Sequence, residues 1–189
     1  MRYGFKASAE RTSKAIRAEL QLAPQDVLCP WELAAHLGIV VLDFAKLPIP
    51  ANDIHQLTQV DSSSWSGLTI KAHGLSAVIL NPTHAKPRQR NDLMHEVSHI
   101  HLGHVPHRVD TGPGGLLLVS DFSKEQEEEA DWLAAALLLP REALLMCRRA
   151  GHSAAQICAK YGISRPLCEW RLRMTGVDQQ LNSSRAKRA

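Results

Sequence analysis

No apolar run in this chain approaches the roughly 20 residues needed to span a bilayer, and the longest one ends at Leu139 before Pro140. The opening segment, MRYGFKASAERTSKAIRAEL, scatters charges where a secretory signal would place an apolar stretch. These absences lead us to expect a protein that is neither secreted by a standard signal nor embedded in a membrane, with the cytoplasm as its address. Cysteine is sparse and unpaired. Cys29, Cys147, Cys158 and Cys168 are widely spaced and form no CxxC, so they read as small apolar side chains in a reducing compartment. There is also no internal repeat, and no low-complexity tract before the polar tail from Asn182 onward, which reads as disordered.

What is present is enough chain, 189 residues, for one full-sized core and a small appendage. The net charge of +3 conceals an asymmetry: residues 141–189 carry ten Lys/Arg against three acids, and residues 1–140 come out at minus four. Such a basic end suits nucleic acid, an acidic protein surface, or simply a solvated helical face.

The hydrophobic pattern changes period along the chain. Residues 7–22 place Ala, Ile and Leu at helical spacing, and residues 30–37 read as a second helix stopped by Gly38. Three short β-branched runs follow: Ile39 to Leu42, Gly67 to Lys71 and Ala77 to Asn81. They predict a small three-stranded sheet, with His73-Gly74 joining the last two as a hairpin. From Pro87 to Leu102 no breaker intervenes, so this stretch reads as a helix. Pro113-Gly114-Gly115 marks a flexible loop. Ser123 with Gln126 is a capping-box pair opening a helix from Lys124 to Leu139, which Pro140 terminates.

The first of these two long helices carries His95-Glu96-Val97-Ser98-His99. Positions i and i+4 share a helix face, so both imidazoles can address one ion at about 2.0–2.1 Å. Glu96 falls beside that ion, where a general base would take a proton from an activated water. Two histidines leave zinc short of the three protein ligands of a catalytic site. The extended pattern HExxHxxGxxH fails, because positions 102 and 105 are Leu102 and Val105, and His101, His104 and His107 read as surface residues. The acidic start of the Ser123-capped helix supplies the alternative. Glu127 and Asp131 share a face with the small residues Ala130 and Ala134, so Glu127 is the expected third ligand and Asp131 the acceptor that orients a ligand imidazole. Glu128 is the fallback ligand, and Glu125 and Glu129 read as solvated.

The histidine motif, followed about thirty residues later by Glu127 to Pro140, resembles the ImmA/IrrE family of zinc metallopeptidases, whose second motif runs approximately ExxA(N/D)xFAxxLLMP. The likeness extends more loosely over about residues 10 to 150. Trp132-Leu133, Leu139 and Val97-Ser98 depart from the common residues, and none of them is a ligand or the base. The resemblance implies a mainly helical α+β fold: a minimal gluzincin-like core over residues 1–150, a helical appendage over 151–180 and a disordered tail over 181–189. It implies zinc, with manganese as the alternative ion, and an intracellular endopeptidase that cleaves a helix-turn-helix repressor encoded nearby, relieving repression. It also suggests that the strand carrying Val78, Ile79 and Leu80 is an edge on which substrate pairs.

Residues 153–173 have the outline of a helix-turn-helix, with a turn at Gly162-Ile163-Ser164 and with Arg165, Arg171 and Arg173 giving the second helix a basic surface. A single such unit would bind DNA weakly at physiological salt, so direct DNA binding is not expected. The rival to hydrolysis is a zinc-binding interaction protein that captures a partner regulator with little or no proteolysis.

Overall fold

The computed structural model describes residues 1–111 and 117–186; the expected loop at Pro113-Gly114-Gly115 lies outside them. Helix α1 (Phe5–Glu19) buries Phe5, Ala9, Ser13 and Ile16, a stripe at helical spacing. Helix α2 (Pro30–His36) begins on its proline and gives way through Gly38, at φ 70°, to strand β1 (Ile39–Leu42). Short helix α3 (Ala51–His55) precedes the hairpin of β2 (Gly67–Ala72) and β3 (Leu75–Leu80). At its tip His73 and Gly74 both have positive φ, 49° and 80°, as a two-residue turn matched to strand twist requires. Helix α4 (Lys86–His101), strands β4 (Arg108–Thr111) and β5 (Leu117–Ser120), and helix α5 (Lys124–Leu138) follow. The chain ends in α6 (Arg141–Arg149), α7 (Ala154–Tyr161), α8 (Arg165–Thr175) and α9 (Val177–Ala186). The fold is mainly helical α+β, and among the described residues no helix is long and apolar enough to cross a membrane.

The three expected strands form, and β4 and β5 extend them into a sheet of order β1-β3-β2-β5-β4. This order corrects one expectation. Strand β3 is not an edge, because it pairs in parallel with β1 and antiparallel with β2. Val78, Ile79 and Leu80 are buried, so neither their backbone nor their side chains are open to a substrate.

One apolar core runs through the molecule. Leu93, Met94 and Val97 of α4 meet Leu133 and Leu137 of α5 with no exposure, and Ala130 and Ala134 keep the helices close. Ile157, Tyr161, Cys168 and Val177 from the last three helices belong to the same cluster, so no break in the core falls near residue 150. Helix α9 occupies residues 181–186, where a disordered tail was expected. All four cysteines are free.

The C-terminal end of α5 is secured from both ends of the chain. A helix leaves its last carbonyls without intrahelical donors. Here Ser13 Oγ donates to Ala136 O at 2.8 Å, Arg17 Nη2 to Leu137 O at 2.7 Å and Arg171 Nε to Leu139 O at 2.9 Å. Arg171 therefore does not serve a basic surface. It is fully buried, with its Nη2 on Glu10, while Arg165 is paired with Glu169 at 2.7 Å. Burial holds the Arg171 guanidinium below its usual pKa, with Glu10 opposing that shift. Removing Arg171 strands the Leu139 carbonyl, a loss of about 1–3 kcal/mol, and leaves the partly exposed Glu10 carboxylate without its partner. Arg171→Ala should lower unfolding free energy by that order in urea titration, and a loss no larger than that of a surface substitution would contradict the assigned role.

Candidate metal centre

The site sits where α4 and α5 face each other above β2. The capping box predicted for α5 is formed: the backbone N–H of Gln126 donates to Ser123 Oγ, and Ser123 N–H to Gln126 Oε1. It fixes where the helix starts and hence which of its acids face α4. Ligand atoms of His95, His99 and Glu127 all lie within 4.8 Å of one another. The two Nε2 atoms are 3.0 Å apart, and Glu127 Oε2 is 3.2 Å from His95 Nε2 and 3.6 Å from that of His99. Asp131, one turn on from Glu127, meets His95 Nδ1 at 2.9 Å. Two imidazole nitrogens and one carboxylate oxygen converging on a point open to a cleft fit zinc in a site that keeps one position free.

Burial opposes charge on His95, but hydrogen bonds with Asp131 and Glu127 overcome it and push its pKa up to about 10. Hydrogen bonds from His95 and His99 hold the Glu127 carboxyl well below the usual carboxylate range. Without an ion, His95 thus carries a proton at neutral pH, and a ligand nitrogen must shed it. The sign follows: zinc affinity should rise by about tenfold per pH unit between about 7 and 9 and flatten near 10. Calorimetric titrations in buffers of different ionisation enthalpy should count at least one proton released at pH 7, and a count of zero would contradict this.

Glu96 stands beside the ligand cluster, not in it. Thr69 Oγ1 on β2 donates to its Oε2 at 2.6 Å. A Cβ on Gly67 would lie 3.0 Å from Glu96 Cγ and 3.2 Å from Oε1, so glycine leaves the room that this side chain occupies. Phe122 stacks on the His99 ring with centroids 3.8 Å apart. The sequence reading missed Thr69, Gly67 and Phe122, whose roles come from long-range packing that no local pattern announces.

The nearby histidines separate. His101 and His107 are exposed, but His104 is buried and its Nδ1 lies 3.0 Å from His99 Nδ1. Glu129, expected to be solvated, is also buried and bound by Arg2: Nε to Oε1 at 2.9 Å and Nη2 to Oε2 at 2.7 Å. Burial works against ionising Glu129, and the Arg2 hydrogen bonds more than offset it. Glu125 is exposed, as expected, and Glu128 lies outside the ligand cluster.

A cleft of about 990 Å³ opens at the cluster, and Ser64 to Leu68 and Pro166, Leu167 and Trp170 of α8 also line it. Asn91 of α4 donates to Ser164 Oγ at 2.6 Å, tying the start of α8 to the histidine helix. A family model described as the IrrE N-terminal-like domain, a peptidase family, matches residues 35–173. The chain belongs to that family. The matched span of the IrrE N-terminal-like domain takes in α4, α5, α7 and most of α8, so the helices that wall the cleft fall within it. No curated protein and no solved structure matches the chain.

Proposed function

We propose that the protein is a zinc-dependent endopeptidase of the cytoplasm that cleaves a helix-turn-helix repressor, with manganese as the alternative ion. The observation that carries the peptidase reading is the convergence of His95, His99 and Glu127 with Glu96 beside them, at the floor of an open cleft. An ion held there would supply Lewis acidity, polarising a carbonyl and making water a better nucleophile. Glu96, held by Thr69, accepts the proton of the attacking water and passes it to the leaving amine. Asp131 holds the His95 ring by its Nδ1, which leaves Nε2 facing the cluster.

An extended substrate segment lies along Gly67 and Leu68. These residues line the cleft, and among the described residues the pairing of β2 with β5 starts at Thr69, so the outer backbone edge of Gly67 and Leu68 is left to a peptide. The repressor as substrate rests on the family likeness.

The test is to incubate the protein and zinc with the repressor encoded beside it, with the Glu96→Gln variant in parallel. Cleavage by the native protein alone supports the reading. Stable binding of the repressor by both without cleavage would replace hydrolysis with partner capture.

A further inference from the structure

We infer that His104 is a positioning residue for the metal, accepting a hydrogen bond from His99 and holding that ligand's Nε2 toward His95 and Glu127. The inference rests on the metallopeptidase reading of the site and extends it to a residue outside both motifs.

The backbone brings the two rings together. Helix α4 ends in a Schellman turn: Gly103 has φ 64°, its N–H donates to Ile100 O at 3.1 Å, and the N–H of His104 donates to His99 O at 3.1 Å. This pair of bonds folds the second residue past the helix cap back over the third residue before it, where an apolar contact commonly forms. Here the two positions are both histidine, and the contact is the 3.0 Å approach of their Nδ1 atoms.

Coordination settles which ring donates. A ligand nitrogen must be bare, so His99 keeps its proton on Nδ1 and His104 Nδ1 must accept it. The proton of His104 then sits on Nε2. That atom is buried without a hydrogen-bond partner and faces Glu129 Oε2 at 3.6 Å, so the N–H dipole of the neutral ring is directed at the carboxylate though the distance is too long for a bond. Arg2 holds both oxygens of Glu129, and its own N–H donates to Oε1 at 2.9 Å. The N–H groups along this line therefore all point toward Glu129, from Arg2 on one side and from His99 through His104 on the other, and Phe122 covers a face of the ligand ring.

Zinc affinity, measured by competition with a chromophoric chelator, tests this without reference to activity. His104→Phe keeps ring bulk and removes the acceptor, so affinity should fall about 10–100-fold. His104→Asn places an amide oxygen near the position of Nδ1 and should restore affinity to within about threefold of the native value. Thermal unfolding of the metal-free variants checks that both are folded. If the native protein binds zinc and His104→Phe binds it equally well, the positioning role is wrong while the metal site stands. Equal loss in the Asn and Phe variants would also overturn the acceptor role. If the native protein itself binds no zinc, the metallopeptidase reading falls, and the inference with it.

Discussion

Peptide cleavage by the Glu96→Gln protein falls by about 10²–10⁴-fold, the usual worth of a general base, while zinc remains bound. The two effects separate because Glu96 is not among the converging ligand atoms. The amide oxygen of glutamine can still accept from Thr69 Oγ1, which holds the native carboxylate at 2.6 Å, so the side chain keeps its place and loses only its proton affinity. Turnover of the repressor, or of a fluorogenic peptide spanning its cut site, reads the first effect and chelator competition the second. A variant that cleaves at the native rate would require a different base.

Glu127→Ala behaves differently, losing zinc and cleavage together. The drop in affinity should exceed the roughly 10–100-fold that follows loss of a partner outside the ligand set, because one of three donor atoms goes and His95 and His99 face each other without the carboxylate between them. Added zinc should recover part of the activity, since the defect lies in occupancy. Retained affinity in Glu127→Ala with its loss in Glu128→Ala would transfer the ligand role to Glu128.

Local chemistry made much of the site legible from the residues alone. His95 and His99 are one turn apart, Ser123 and Gln126 announce the start of α5, and Glu127 and Asp131 then fall on one face by helical period. The hairpin was readable because His73-Gly74 can adopt two positive φ values in succession. Reading failed where the partner is distant in sequence. Arg171 has the composition of a surface residue, and only its encounter with Glu10 and the Leu139 carbonyl explains its burial. Glu129 looked like one more acid in a solvated first turn until Arg2, 127 positions away, closed on it. His104 is an intermediate case: the helix-stopping glycine at 103 was visible, and the turn it makes implies that residue 104 returns over residue 99. The edge role given to Val78, Ile79 and Leu80 failed because strand order depends on a crossover that a list of strands cannot supply.

The clamping of α5 by Ser13, Arg17 and Arg171 bears on how the molecule can come apart. Glu127 and Asp131 ride on the same helix whose far carbonyls are held by residues from the first and last thirds of the chain. Stripping away either third would strand buried acceptors without donors, at about 1–3 kcal/mol for each, and would loosen the helix that brings the carboxylate to the histidines. The geometry of the metal centre is therefore coupled to the stability of the whole chain, and a shorter fragment centred on the two motifs is expected to lose both.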